Sequence, residues 1–480
     1  MQAIEIKKGI YWVGAIDWSM RSFHGYETGR GSSYNAYLIL DEKITLIDTV
    51  KEPFRDELIS RISSVIDPAK IDIIVSNHVE PDHSGSIPAM MKLCPKAEIY
   101  TSDPNGFKGL TAHYGDLPYH GVKAGDTLSL GKRTLTFVPT PMLHWPDSMV
   151  TYCPEEKILF SNDAFGQHLA ASKLFDDEVD FAVLMEEAKK YYANILMLYG
   201  RQAQTALKAL AGIDIEMIAT GHGRLWRSHI PDILAAYQKW STGELEDKAV
   251  VVFDSMWHST EKMARAIAEA FAEKGLPTQF YDIKKTHMSD IVVDVLTSRY
   301  LAVGSPTINN QMMPTIAGFL CYLKGLAPKG REAFAFGSYG WGGQSIKLVE
   351  DELKAAGCNI CLDMIRIANV PSKEQLDEIR EKVTANCGIR PISTEGRDGL
   401  NWILIDYGSV VVHVFQPEVR SYYRLERLWA DAPRVELDIE GAMTSEIPYA
   451  DLPEDALAPA FELSEDDLVD NLPESADPTE

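Results

Sequence analysis

What this 480-residue sequence lacks narrows its reading first. No run approaches the roughly 20 consecutive apolar residues of a membrane-spanning helix, and no basic-then-apolar signal follows Met1. A membrane partner is therefore not expected, and the cytoplasm is the expected compartment. Cysteine is scarce: Cys94, Cys153, Cys321, Cys358, Cys361 and Cys387. Only Cys358-x-x-Cys361 has ligand-like spacing, and a four-thiolate iron or zinc site needs a second such pair. The chain is thus expected to carry no rubredoxin-type centre of its own, and its two spaced thiols read as buried apolar groups. Net positive charge is also lacking. The formal net charge is -24, which argues against a nucleic-acid partner.

That charge is unevenly spread. Residues 435–480 hold fifteen acidic residues and no Lys or Arg, which leaves -9 for the rest. With five prolines, this tail reads as solvated and without a core. Upstream, residues 1–247 alternate short β-rich runs (YNAYLIL, KITLID, IDIIVSN, TLTFVPT, KILFSN, EMIAT) with polar loops and helical patterns at 53–66 and 181–199. From KAVVVFDS (248–255) strands and helices take strict turns. Strands are expected at 249–254, 278–283, 300–304, 332–337 and 362–367, and helices at 260–273, 289–297, 314–325, 343–356 and 373–384. That order predicts an α/β protein ending in a doubly wound parallel sheet of five strands.

Ionisable residues collect where strands end. SNHVEPDHSG (76–85) offers His78, Glu80, Asp82 and His83 directly after a strand. His144 in PMLHWPDS, Asp163 in NDAFGQH and His222 in GHG follow three further strands. Each residue alone reads as an ordinary polar loop residue. Four such loops in one region point to one cavity. Seven donors exceed a single tetrahedral site and suit two ions bridged by a carboxylate. Four imidazoles beside three carboxylates, without thiolate, favour iron or manganese over structural zinc.

The order His-x-Glu-x-Asp-His…His…Asp…His resembles the metallo-β-lactamase superfamily, whose hydrolases usually carry histidine where Glu80 stands. The glutamate is the mark of the flavodiiron proteins, or A-type flavoproteins, and IYWVGAIDW, FHGYETGRGSSYNAYLI, PMLHWPDSMVTY and NDAFGQH are similar to that family as well. The resemblance covers about residues 1–390. It implies an N-terminal αββα sandwich with one iron on His78, Glu80 and His144, a second on Asp82, His83 and His222, and Asp163 between them. It also suggests that Asp48 orients a ligand, and that His24, His168 and Tyr192 hydrogen-bond a molecule bound at iron.

In the second region, the loop DSMWHSTEKMA (254–264) lacks a Gly-rich dinucleotide fingerprint. It offers Ser255, Ser259 and Thr260 at a helix start, a pattern that fits either a terminal phosphate or a simple helix cap. GSPTINNQMMP and FGSYGWGGQS follow the third and fourth strands, where flavodoxin-like sheets bind a mononucleotide. Gly340, Gly342 and Gly343 permit close backbone approach, and Trp257, Tyr339 or Trp341 can stack on a ring. DSMW, GSPTINN and GSYGWGG resemble the flavodiiron flavodoxin module. This implies FMN held by those residues together with Met256, Pro306, Thr307, Ile308, Asn309, Asn310 and Ser338.

Beyond residue 387 the chain continues with NWILIDYGSVVVHVF and RLERLW. The alternation predicts a hairpin turning near Tyr407-Gly408 and a helix through 417–429. This stretch resembles the C-terminal half of the ribosome silencing factor (Iojap-like) family, with that family's first strand expected to be absent. Four parts are therefore expected: a di-iron domain at 1–247, an FMN domain at 248–387, the silencing-factor-like fragment at 388–434 and the acidic tail at 435–480. The resemblance implies an oxidoreductase that reduces dioxygen to water, nitric oxide to nitrous oxide, or both. It would draw electrons from a donor such as rubredoxin and work as a head-to-tail homodimer. A zinc hydrolase with an appended flavodoxin, and a ribosome-binding regulator acting through the C-terminal segment, are the alternative readings.

Overall fold

The computed structural model describes residues 1–387, 393–396, 401–406, 411–423 and 425. Residues 1–388 form one compact unit and the remainder a second. Two sheets make up the first half of the first unit. One runs Ile4–Lys7, Ile10–Trp12, Tyr37–Ile39, Thr45–Ile47, Ile73–Ser76, Glu98–Ser102 and Tyr119–Val122. It is antiparallel at the start and parallel from Thr45–Ile47 onward. The other runs Thr127–Ser129, Thr134–Pro139, Met149–Cys153, Ile158–Asn162 and Met217–Thr220, with only its last pair parallel.

Alternation along these strands sends one set of side chains between the sheets. Trp12, Tyr37, Ile73 and Val75 meet Phe137, Met149, Ile158 and Phe160 there. The opposite faces are also apolar and are covered by helices. Arg55–Ser63, Ile87–Leu93 and Asn105–Tyr114 lie on the first sheet, and Phe181–Tyr191, Gly200–Leu210 and Ile230–Thr242 on the second. The result is the expected four-layer αββα sandwich.

A third, parallel sheet follows. Its order is Thr278–Asp282, Glu246–Phe253, Ser298–Gly304, Glu332–Tyr339, with the last strand paired to both Asn359–Ile360 and Ile365–Ala368. In chain order that is 2-1-3-4-5, the flavodoxin arrangement. The fifth strand, expected at 362–367, is split into those two short pieces. Val250, Val252, Leu301 and Val303 on one face join the same core as the helices over the second sheet, so sandwich and parallel sheet share an apolar layer. The helix expected over 181–199 also breaks. Its α-helical part ends at Tyr191, and a π-helical turn (Tyr192–Leu196) and a 3-10 turn (Met197–Tyr199) complete it.

The second unit holds a three-stranded antiparallel sheet, Ser393–Glu395, Trp402–Asp406 and Val411–Phe415, followed by the helix Pro417–Tyr423. Trp402 stacks on Phe415 with ring centroids 4.9 Å apart. The hairpin strands therefore form as expected, whereas the turn near Tyr407-Gly408, the rest of the expected helix and the acidic tail lie outside the described residues.

Candidate metal centre and flavin-binding edge

All seven candidate ligands meet at one edge of the sandwich. His78 and Glu80 come from the loop after Ile73–Ser76, and Asp82 and His83 from the short helix Pro81–Ser84 that follows it. His144, Asp163 and His222 follow strands of the second sheet. Their donor atoms form two groups: His78, Glu80, His144 and Asp163, and Asp82, His83 and His222. Asp163 faces both. Its Oδ2 lies 3.5 Å from His78 Nε2 and 3.2 Å from His144 Nε2, while its Oδ1 lies 3.0 Å from His83 Nε2 and 3.4 Å from His222 Nε2. Glu80 Oε2 closes the first group at 3.3 Å from His78 Nε2 and 3.2 Å from His144 Nε2. Asp82 Oδ2 closes the second at 3.2 Å from His222 Nε2.

Neighbouring residues fix these rings. Asp147 Oδ2 lies 2.9 Å from His78 Nδ1 and also accepts the Val79 N–H at 2.7 Å, turning Nε2 of His78 inward. Nδ1 of His222 lies 2.8 Å from the Ser33 carbonyl. The glycines of GHG serve the same loop. A Cβ on Gly221 would stand 2.8 Å from the His83 ring, and Gly223 has φ +77° with Gln167 packed against it. Asp48 does not touch a ligand, contrary to expectation. It accepts from the Asn77 N–H and side chain and from Asn162, the residues just before His78 and Asp163. Its position therefore ties two ligand loops together.

Electrostatics follow from these contacts. Burial alone would lower every imidazole pKa and raise every carboxylate. Against that, hydrogen bonds to Asp163 and Glu80 hold His144 up at about 9, and Asp163 and Asp82 hold His222 up at about 10. His78 is raised by Asp147 and Glu80 and His83 by Asp82 and Asp163, again in spite of burial. The same imidazoles overcome burial to push Glu80, Asp82 and Asp163 below the usual carboxylate range. Three buried carboxylates are thus balanced by protons that divalent cations would replace, so the donor set fits a pair of metal ions.

The three further candidates fare differently. His24, on the Ser22–Phe23/Tyr26–Glu27 hairpin, sets Nε2 2.5 Å from Glu80 Oε1 while its side chain is 64 % exposed. His168 is buried, with Nδ1 2.7 Å from Ser32 Oγ, an unpartnered Nε2 and a ring centroid 4.8 Å from that of His222. Burial and then repulsion from His222 hold its pKa well down, so it stays neutral. Tyr192 is not brought to the ligands. It packs against Tyr237 and Trp240 in the apolar core. The Tyr191 ring centroid stands 5.2 Å from that of His168 instead, since adjacent helical residues point about 100° apart. Sequence reasoning missed Tyr191 and Asp147, although Asp147 lay within the quoted PMLHWPDS.

The flavin candidates lie at the C-terminal strand ends of the third sheet. The helix Ser259–Glu273 has no side-chain cap, so the capping explanation for its Ser/Thr loop fails. Its first-turn N–H groups take no side-chain cap, and the loop before it carries Ser255, whose Oγ is buried without a partner. Thr260 Oγ1 is already bound to Ser338 Oγ at 2.9 Å, and Thr307 Oγ1 to Ser345 Oγ at 2.8 Å. These pairs link the three loops. Pro306 is buried and Ile308 half-buried, while Asn309 and Asn310 turn the loop in left-handed conformations. Around the rim stand Met256, Trp257 (86 % exposed), Tyr339 and Trp341 (96 % exposed) beside Gly340, Gly342 and Gly343. An uncapped helix start, an orphaned buried hydroxyl and two exposed indoles fit a phosphate joined to a flat ring.

Residues 33–223 match the ODP family beta lactamase model, and residues 251–382 match the flavodoxin model. The nitric oxide reductase of Moorella thermoacetica is 48 % identical over 74 % of this chain and 90 % of its own length. The rubredoxin-oxygen oxidoreductase of Megalodesulfovibrio gigas is 43 % identical over 79 % of this chain and 96 % of its own. Solved structures agree. The flavodiiron protein of Giardia intestinalis superposes with a TM-score of 0.78 at 37 % identity, covering 80 % of this chain and 96 % of that one. The chain belongs to the flavodiiron family.

A flavodiiron chain is an oxidoreductase with FMN and a di-iron centre as its cofactors, and the hydrolase alternative finds no support among these relatives. A third match, to the ribosomal silencing factor during starvation, spans residues 360–456. It begins before residue 388, inside the last strands of the third sheet. The strand Ile365–Ala368 thus lies within both this match and the flavodoxin match. No described helix is long and apolar enough to cross a membrane.

Proposed function

We propose that this flavodiiron chain reduces dioxygen to water, nitric oxide to nitrous oxide, or both, as a cytoplasmic enzyme. One observation carries the reading. Asp163 offers one carboxylate oxygen to each of two histidine groups, which is what a paired-metal centre requires. His78, Glu80 and His144 would hold one iron and Asp82, His83 and His222 the other, with Ser255, Ser259 and the Gly340–Gly343 loop holding FMN. Bound there, the irons and flavin supply the two or four electrons that these reductions need.

The chain's own groups do the rest. Asp147 and the Ser33 carbonyl orient imidazoles. His24 Nε2 reaches Glu80 from the solvent side, so it can carry a proton from water to the edge of the centre. Neutral His168 packs between Phe23 and His222, with ring centroids 5.0 Å and 4.8 Å away, and so lines the centre with an uncharged imidazole.

A rubredoxin is the proposed donor, since the chain lacks a four-thiolate centre of its own among the described residues, and the relative from Megalodesulfovibrio gigas is named for rubredoxin. We further propose the four-part division at 247, 387 and 434, and a head-to-tail homodimer whose exposed Trp257 and Trp341 rim would face a partner's irons. Anaerobic stopped-flow of the reduced protein against dioxygen and nitric oxide separately, with iron and flavin quantified, tests the function. Flavin reoxidation by one or both gases supports it; a zinc-loaded protein inert to both refutes it.

A further inference from the structure

The one cysteine pair that stood out in the sequence is not the pair the fold assembles. Cys358 and Cys361 lie three apart across the extended piece Asn359–Ile360, and an odd separation sends side chains to opposite faces of a sheet. Cys358 accordingly joins the core shared with the sandwich, while Cys361 packs on the other face with Ile365, Ile379 and Val383. On that face it meets Cys387, at the C-terminal end of the helix Lys373–Asn386. The two Sγ atoms are 3.9 Å apart across 26 residues of chain. Both backbones are anchored: the Cys361 N–H binds the Ala333 carbonyl and the Cys387 N–H that of Val383.

We infer that Cys361 and Cys387 form a reversible disulfide, a modification site separate from the metal and flavin sites. Closing it from 3.9 Å requires the sulfurs to approach by about 2 Å, within the reach of side-chain rotation and a small shift at a helix end. Cys361 is the half-exposed partner and Cys387 the buried one, so the Cys361 sulfur meets the oxidant first. With hydrogen peroxide as oxidant, the Cys361 sulfur takes one oxygen as the O–O bond breaks, and the first water leaves. Cys387 then displaces the second water from that sulfur. Two thiols lose two electrons and two protons, and peroxide becomes two waters.

Position decides the consequence. Asn359–Ile360 pairs with Glu332 and Ala333, at the start of the parallel strand whose far end carries the Gly340–Gly343 loop. The dithiol therefore lies at the end of the sheet away from the flavin candidates. Its closure staples the last helix of the sheet to its edge without touching cofactor.

The test treats the full-length, iron- and FMN-loaded protein with a few equivalents of hydrogen peroxide. Excess thiol is then blocked under denaturing conditions, and peptides are mapped without reduction. The expected result is the loss of two of the six thiols, with Cys361 linked to Cys387. The thermal midpoint of the flavin-bearing part rises by several degrees and FMN content stays constant. The link persists in Cys358→Ser and vanishes in Cys361→Ser, and thiol reductant reverses it. Should Cys387→Ser fail to fold, the half-exposed Cys361→Ser alone carries the comparison. A Cys358–Cys361 link, a bond between chains through exposed Cys321, or stable Cys361 sulfinic acid without any link would overturn the inference.

Discussion

The metal centre and the flavin edge are built on opposite principles. At the metal centre every candidate ligand except slightly exposed His144 is buried, and three carboxylates and four imidazoles face one another at salt-bridge distances, with both Asp82 oxygens, Asp163 Oδ2 and His83 Nδ1 lacking a hydrogen-bond partner. The flavin edge is open. Its helix start is uncapped, one buried hydroxyl has no partner, and two indoles stand almost fully in solvent. The first site is preorganised by charge, so cations displace protons from a fixed cage. The second is completed by its ligand. Removing a single ligand should therefore cost far more at the metal centre than removing one contact at the flavin edge.

The sharpest way to break this contrast is Asp163→Ala. Losing the one carboxylate shared by both histidine groups leaves four raised imidazoles facing each other. Iron per chain should fall for both sites together, and turnover by about 100-fold or more. FMN should stay near one per chain, measured by metal analysis and flavin absorbance. Loss of one iron only would show that the two groups are independent.

Asp147→Asn should have a smaller effect, about 10- to 100-fold in metal affinity, because His78 keeps its place but loses the anion at Nδ1. Chelator competition measures it. Smaller again, Trp341→Ala should weaken FMN binding by about three- to tenfold, the scale of one aromatic stacking contact, and leave iron unchanged.

The proton cage also gives a pH signature. In the metal-free protein His144 and His222 titrate near 9 and 10, above the ordinary imidazole range. A folded-state pKa raised above its unfolded value stabilises fully at lower pH and is lost as pH climbs through the folded value. The thermal midpoint of the metal-free protein should thus fall between about pH 6.5 and 10, while the iron-loaded protein, whose imidazoles carry no exchangeable proton at Nε2, stays flatter across that window. Parallel slopes for both forms would show that these protons do not hold the cage together.

The cluster of candidate ligands was legible because its chemistry is local: His78 to His83 crowd one strand end, and His144, Asp163 and His222 each follow an apolar run that reads as a buried strand. The supports were not, since they depend on which loops touch. Asp147 reads as a turn residue in a Pro-rich loop until the fold sets it against His78. Asp48 was selected for the right neighbourhood and the wrong contact, since what it holds is the backbone before two ligands. Cys358-x-x-Cys361, read as two apolar thiols and not as a ligand pair, does divide between two apolar clusters. Spacing reports a shared face only when the secondary structure is known, and here the segment is extended. The boundary near 388 was blurred by a strand that two family models both claim.

Tyr192 gives the smallest expected effect. A helical pattern through 181–199 leaves the phase of its last turns open, and adjacent helical residues point about 100° apart, so Tyr192 faces Tyr237 and Trp240 while Tyr191 faces His168. Tyr192 Oη is buried with no partner, and burial is the one cause raising its pKa, whereas Asp163 follows burial among the causes at Tyr191. Tyr192→Phe removes an unsatisfied hydroxyl, so stability should change by less than about 1 kcal/mol and in the favourable direction. Turnover should not move. Tyr191→Phe, at equal size and equal burial, should change turnover or the pH profile of the reduced enzyme while leaving iron content intact. Paired variants read by turnover and thermal midpoint settle it: if Tyr192→Phe alone slows turnover, the tyrosine that serves the centre is the one the sequence first suggested.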